Sequence, residues 1–322
     1  MENPDPTHAI PATMSVMHPI IRAALDAGRG ATTGSTLLRR GATRRDIERA
    51  VGAGELVRVR RNALVDGHRW REAKPWERHE LRARAVVAAL GGETPPALSH
   101  QSALAVRGVT LHGVDDRVHV ACVGKGRGRT DAGLASHRPV AADLTVEHEG
   151  VLIVQPAVAC LQVAIQFGGE AGLVSADDAL RRQIISHDEL DAAMTALRPG
   201  RWSREPARML DLVDARSESA AESRTRWALR TLGFRMPTPQ VVIHDADGDV
   251  VARVDFLYED LKLIIEVDGM GKYATVEDLR AEKLREDRLR ALGYHFVRLT
   301  WADLDDLRVL SAKVLRGVSL AA

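Results

Sequence analysis

The sequence predicts a multidomain chain of mixed α/β and α+β class. The expected parts are an N-terminal winged helix (residues 16–72), a middle α+β domain (75–200) and a C-terminal domain (219–322) of element order αβββαβ. Three observations predict this. The 322 residues exceed the roughly 100–200 of one ordinary domain. The apolar residues change period along the chain, from helical spacing to strict alternation and back. Arginines crowd the first part, whereas carboxylates interrupt an apolar run in the last.

Bulk composition narrows the function class. Hydrophobic residues make up 45 % and charged residues 28 %, the balance of a globular protein. The formal net charge of +1 excludes a uniformly basic nucleic-acid coat, so any DNA contact must come from local patches. Two cysteines far apart, Cys122 and Cys160, make neither a disulfide framework nor a zinc signature, and a reducing cytoplasm is expected. The first residues (1–15) read as a disordered tail without the apolar core of a signal peptide. No run reaches the roughly 18 apolar residues of a membrane span, and no membrane contact is expected.

In the first block, HPIIRAALDAG reads as a helix ended by Gly28, and TTGSTLLRRG as a short helix stopped by Gly41. TRRDIERAVGAG is a third helix with Thr43 as N-cap and Ile47, Ala50 and Val51 on its apolar face. ELVRVRRNALV alternates as a two-stranded wing would. Three helices followed by a hairpin is the winged-helix order. Arg39, Arg40, Arg44, Arg45, Arg49, Arg58, Arg60 and Arg61 concentrate on the third helix, the wing and the segment just before them. Arginine in such places binds phosphates or reads guanine edges, so these residues are the candidate contacts to double-stranded DNA. A winged helix that docks protein is the alternative.

The middle block opens with WERHELRARAVVAALGG, an amphipathic helix, and LSHQSALAVRGV, a shorter one. RVHVACV and DLTVEHEGVLIV are strand-like, with Glu149-Gly150 as a turn. PAVACLQVAIQFGG is a helix with Pro at its start and Gly beyond its end. Two more helices are expected around Ala171–Arg182 and His187–Leu197. His100, His112, His119, His137 and His148 show no ligand spacing, and surface or core histidines are expected. The basic run from Gly124 to Arg129 lacks phosphate-loop spacing and reads as a flexible loop. Residues 201–218 are expected to be a helix and a polar linker.

The informative stretch is RVDFLYEDLKLIIEVDGMGKY. Asp255 sits in an apolar strand, and Glu266 and Asp268 end the next one, two residues apart and therefore on one face. A tight connection through Glu259-Asp260 makes these strands a hairpin and sets Asp255 across from the pair. Converging carboxylates repel unless a cation or proton relieves them. Mg²⁺ or Mn²⁺, with hard oxygen ligands, is the expected cofactor. Lys272, just beyond, is placed to polarise a water or hold a phosphate oxygen. Glu222 is either the partner of Ser219 in a capping box or a further carboxylate for the metal. Glu282, Glu286 and Asp287 read as a solvated face shared with Lys283, Arg285, Arg288 and Arg290. Arg285 or Arg288 reaching a DNA phosphate is the second choice.

The run DF…LIIEVDG…K followed by EKLREDRLRALGYHFVRLTWADL resembles the DUF559 family. Those domains are similar to very-short-patch-repair endonucleases of the PD-(D/E)XK superfamily. The resemblance covers about Ser219 to Leu307. It implies metal-binding Asp255, Glu266 and Asp268, a basic residue at Lys272, and a supporting Glu222. E-x-D stands here where the standard motif has (D/E)-x-K, which leaves Lys272 as a displaced substitute. The N-terminal block and LSHQSALAVRGV resemble AbiEi-type antitoxins, regulators of type IV toxin–antitoxin systems. That likeness implies a cognate toxin or defence-system partner. Two functions follow: a metal-dependent DNA endonuclease delivered by a winged helix, or a non-catalytic AbiEi-like regulator whose C-terminal domain keeps the nuclease fold.

Overall fold

A computed structural model describes residues 17–91, 95–124, 130–198, 204–268 and 276–321, and no cis peptide bond occurs among them. The chain forms two compact units, Met1–Glu93 and Thr94–Ala322.

The first unit runs α1 (Pro19–Ala27), β1 (Ala31–Thr33), α2 (Gly34–Arg39), α3 (Arg44–Gly52), β2 (Leu56–Arg60), β3 (Ala63–Asp66), α4 (Gly67–Glu72) and α5 (Pro75–Leu90). The three helices and the hairpin lie where the apolar spacing puts them. Thr43 caps α3 reciprocally: its backbone N–H donates to Asp46 Oδ2 at 3.0 Å, and Asp46 N–H donates to Thr43 Oγ1 at 3.1 Å. Ile47 and Ala50 then pack with Ile21, Leu25, Leu37, Leu56 and Leu64. Asn62 turns the hairpin at φ 63°, a left-handed conformation that Asn tolerates. Its side-chain oxygen accepts from Ser35 N–H at 2.9 Å and ties the hairpin to α2. The sheet order is β1-β3-β2. Two features were not expected. The short strand β1 adds to the hairpin, and α5, expected in the middle block, packs on β1 and β3 within this unit.

The second unit begins with β4 (Ala97–Leu98), α6 (His100–Ala105), β5 (Val118–Val123), β6 (Leu134–Val140), β7 (Thr145–His148) and β8 (Val151–Val154). These strands form one sheet in the order β6-β5-β4-β8-β7. Glu149 at φ 49° and Gly150 at φ 77° make the expected turn, with the two positive φ values that match strand twist in a two-residue hairpin loop. Helices α7 (Pro156–Phe167), α8 (Gly169–Arg181), α9 (His187–Leu197) and α10 (Glu205–Leu210) follow. Val158, Leu161, Val163, Leu173 and Val174 are fully or almost fully buried.

The rest is α11 (Ala220–Thr231), β9 (Thr238–His244), β10 (Val250–Tyr258), β11 (Leu263–Asp268), α12 (Val276–Ala291), β12 (His295–Thr300), α13 (Trp301–Asp305) and α14 (Leu307–Ala321). The sheet order is β12-β11-β10-β9, antiparallel except for the β11–β12 pair, which α12 joins as a crossover. One face packs Phe256, Ile265, Val267 and Leu299 against α11, α13 and α14. The other packs Val254, Leu257 and Ile264 against Leu289 of α12. Gly317 lets α14 approach the sheet, since a Cβ there would lie 2.3 Å from Val297 Cγ2.

The expected linker before α11 is packed rather than loose. Ser217 is buried, and Asp214 N–H donates to Asp177 Oδ1 at 2.9 Å. Asp177 also accepts from Ser223 Oγ at 2.6 Å and pairs with Arg226 of α11. Arg224, on the same helix, reaches Glu170 at 2.7 Å and Asp305 at 2.8 Å and stacks over Trp301. Both arginines are buried, which charged side chains tolerate only when paired. Helix α11 thereby fastens the C-terminal sheet to α8.

Candidate functional site

The strand registers build a row of polar side-chain positions across the C-terminal sheet. On β9 and β10, Val241 faces Val254 and Pro239 faces Phe256, which sets Gln240 opposite Asp255. On β10 and β11 the pairing runs from Tyr258 and Leu263 to Phe256 and Ile265, so Asp255 and Glu266 are the next residues along the two strands. On β12, Arg298 faces Glu266. The strand alternation breaks at this row. Val254 and Leu257 both belong to the α12 side, whereas Phe256 and Tyr258 belong to the other. Gln240, directly across, has φ 54°. Asp255 uses the irregularity: its Oδ2 accepts from the Val267 backbone N–H at 2.9 Å, which pins the carboxylate beside the Glu266 segment.

Glu266 is buried and its carboxylate is held by arginines. Arg285 Nη2 donates to Glu266 Oε1 at 2.6 Å, and Arg298 Nη2 lies 3.8 Å from Oε2. Arg285 also binds Glu282, while Arg298 binds Glu282 at 3.1 Å and Glu286 at 2.8 Å. Burial pushes the Glu266 carboxyl up, against the hydrogen bond and charge of Arg285. Arg285 is held charged more firmly than an ordinary guanidinium, first by Glu282 and also by Glu266. For Glu266, the loss of water therefore outweighs the gain from its partner. Helix α12 does carry the expected Glu282–Arg285 and Glu286–Arg290 pairs at helical spacing. Arg285 is not a solvated face residue, however, because it turns inward to the sheet.

Glu222, in the first turn of α11, is buried and satisfied locally. It accepts from Glu218 N–H at 3.0 Å, Ser219 Oγ at 2.8 Å and Gln240 Nε2 at 2.9 Å, and its own N–H donates to Ser219 Oγ at 3.2 Å. Ser219 thus caps the helix, but Glu222 returns its bond to the Glu218 N–H rather than to the Ser219 N–H of a full capping box, and Gln240 links it to the row that holds Asp255. The backbone of Asp268 ends β11 opposite Thr300. Its side chain, and all of Lys272, lie outside the described residues.

In the first unit Arg39, Arg40, Arg44, Arg45, Arg49, Arg58 and Arg61 are exposed and Arg60 is half-buried. Arg49 lies 3.5 Å from Asp46 and Arg58 lies 2.7 Å from Glu48. Arg40 donates to the Ala23 carbonyl at 3.3 Å. The basic loop at residues 125–129 falls outside the described residues.

The middle block holds a cluster that spacing along the chain does not show. His100, His119 and His137 each bring one ring nitrogen within 4.8 Å of the others. Parallel pairing of β5 and β6 sets His137 opposite Ala121, one strand-face repeat from His119. His119 and His137 touch through Nδ1 and Nε2 at 2.8 Å, and His100 stacks on His137 with ring centres 3.8 Å apart. Burial lowers His137 to about 4 and His100 to about 2, and lowers His119 against the pull of Asp115. His100 and His119 are core histidines, as expected, but their clustering with His137 was not expected. The available signal was the apolar frame around His119 in RVHVACV, but without β6 its partner could not be identified.

Among the described residues no helix is long and apolar enough to cross a membrane. No known family profile matches the chain. Two uncharacterized Mycobacterium tuberculosis proteins, MT2308 of strain CDC 1551 / Oshkosh and Rv2248 of strain ATCC 25618 / H37Rv, are each 28 % identical to it over 289 residues. The alignment spans 87 % of this chain and 98 % of each relative, so the likeness runs through both compact units.

Proposed function

We propose that the chain is a DNA-binding protein with a divalent-metal-dependent endonuclease domain that hydrolyses phosphodiester bonds. The observation that supports this is the hydrogen bond from Val267 N–H to Asp255, which holds that carboxylate at the strand of Glu266, on the two central strands of the sheet. The surrounding order, helix, three antiparallel strands, crossover helix and parallel strand, resembles the one expected of the PD-(D/E)XK superfamily and supports the reading. Carboxylates on adjacent strands offer the hard oxygen donors that Mg²⁺ or Mn²⁺ takes, and a cation would relieve the buried charge on Glu266. Asp255 and Glu266 would hold it, with Asp268 as the third ligand at the end of the same strand. Such an ion supplies a more acidic water and charge stabilisation at phosphate. The chain's own part is positioning: Val267 N–H orients Asp255, and Arg285 and Arg298 offer cationic groups beside Glu266. The first unit has the element order of a winged helix and presents exposed arginines suited to phosphate.

A second reading is supported by the Arg285–Glu266 bond. An arginine already neutralises the carboxylate, as it would in a non-catalytic AbiEi-like regulator that keeps the fold for binding DNA or a toxin partner. Thermal unfolding with Mg²⁺ or Mn²⁺ separates the two. The endonuclease reading expects a melting temperature that rises with the logarithm of metal concentration and a gain lost in Asp255→Asn. Equal melting temperatures with and without metal support the regulator.

A further inference from the structure

The three clustered histidines have the features of a built metal site. His119 is fully buried and sits on β5, in the interior of its sheet. Its Nε2 faces Asp115 Oδ1 at 2.9 Å. Asp115 accepts from the Arg117 N–H and Nε and from Gln101 Nε2, so its oxygens serve as acceptors here. His119 must therefore donate Nε2–H to it, which leaves a lone pair on Nδ1. A carboxylate on the far nitrogen is the usual support of a metal-bound histidine, since it sets the tautomer and raises basicity. Asp115 is itself fixed by Arg117 Nε at 2.7 Å and Gln101 Nε2 at 2.9 Å.

His137 Nε2 lies 2.8 Å from that Nδ1. With the lone pair on His119, His137 is the donor between them. Loading an ion moves the His137 hydrogen from Nε2 to Nδ1 and leaves both rings neutral. His100 contacts Ser99 Oγ through Nδ1 at 3.0 Å, so Nε2 is the nitrogen left for an ion. Its backbone is at φ 50°, a conformation costly for a histidine, and Gln162 Oε1 holds it there by accepting its N–H at 3.1 Å. Tetrahedral zinc, with bonds of about 2.0–2.1 Å, puts its donors roughly 3.4 Å apart. The ring nitrogens start within 4.8 Å, and loading an ion also turns the stacked His100 and His137 rings so that their in-plane lone pairs converge.

We propose that His100, His119 and His137 form a transition-metal site for Zn²⁺, with Asp115 positioning His119 and the fourth coordination position reached past the half-buried His137. Three imidazoles without carboxylate or thiolate ligands suit zinc and other late first-row ions and not Mg²⁺. The site is thus chemically separate from the carboxylates near Asp255.

The test uses the full chain, treated with chelator, dialysed and titrated with Co²⁺ as a spectroscopic stand-in for Zn²⁺. The expected result is an intense visible band typical of tetrahedral cobalt that saturates at one equivalent and is bleached when Zn²⁺ is added, whereas cobalt on oxygen ligands alone is octahedral and only faintly coloured. His137→Gln should abolish the band, and Asp115→Asn should weaken Zn²⁺ binding by about 10–100-fold. Asp255→Asn protein should give the same tetrahedral band as wild type, which keeps the result readable whether or not the endonuclease reading holds. Wild-type protein that gives no such band overturns the site, as does a band that persists in folded His137→Gln. Should that variant fail to fold, the wild-type titration and Asp115→Asn decide alone: unchanged Zn²⁺ affinity in the latter contradicts the positioning role and the site with it.

Discussion

Arg285 donates a 2.6 Å hydrogen bond to Glu266, the one described carboxylate of the site that is both buried and raised in pKa. Removing the guanidinium strands that charge. Arg285→Ala should lose about 2 kcal/mol, the scale of a hydrogen bond to a charged group. If a cation sits beside Glu266, Mg²⁺ or Mn²⁺ should restore part of the loss, so the metal-dependent gain in melting temperature should exceed that of wild type. An equal loss with and without metal would show that no cation competes for this carboxylate.

The raised pKa of Glu266 also has a pH signature. The folded protein keeps the Glu266 proton to higher pH than the unfolded chain does. Its contribution thus favours folding below the ordinary carboxylate range and fades as pH rises through the raised value. The metal needs the ionised form and should act in the opposite sense. Its stabilisation should be complete above that raised value and disappear as pH falls through it. Melting curves across this range with and without Mg²⁺ check the crossing, and a metal effect that is flat with pH would contradict it.

Asp177 and Arg226 should be the costliest pair to break. Both are buried, and Asp177 also receives Ser223 Oγ and Asp214 N–H. Asp177→Ala leaves an uncompensated buried guanidinium and should cost about 3–5 kcal/mol in urea unfolding. The double variant with Arg226→Met should recover much of that. Losses that simply add would mean that the two side chains act independently.

For the first unit, changing Arg44, Arg45 and Arg49 to Ala should weaken binding to every duplex tested. It should also reduce the slope of log affinity against log salt by about one for each phosphate that an arginine no longer neutralises. These side chains are exposed on α3, and the pair of Arg49 with Asp46 lies at the surface, so the fold should be untouched. A triple variant with unchanged affinity, or binding that ignores salt, would remove α3 from the DNA interface.

Much of the C-terminal domain was legible because its strands are short apolar runs with clear ends. The expected strand Val250–Tyr258 is β10 residue for residue, and the hairpin through Glu259-Asp260 pairs β10 with β11 from Tyr258 and Leu263 to Phe256 and Ile265. The arginines that hold Glu266 were not legible. Arg285 and Arg298 reach it through a helix crossover and a parallel pairing, neither of which leaves a local pattern. Ser219 shows the converse case, since an N-cap that accepts the N–H three residues on is purely local and was readable as one. The histidine cluster was hidden because β6, with Ser136, His137, Arg138 and Pro139, lacks strand alternation and takes its conformation from pairing with β5. The same tertiary dependence placed α5 on the wrong side of the boundary. Its amphipathic face says that it packs, but not on which sheet.

The central claim is that Asp255 and Glu266 make a cutting site, and a supercoiled-plasmid assay tests it most directly. Wild-type protein with Mg²⁺ or Mn²⁺ should convert the plasmid to nicked or linear forms. Chelator should stop the conversion, and Asp255→Ala protein of normal fold should show none. Plasmid that stays supercoiled under all these conditions, or that is cut equally by Asp255→Ala, would contradict the endonuclease account.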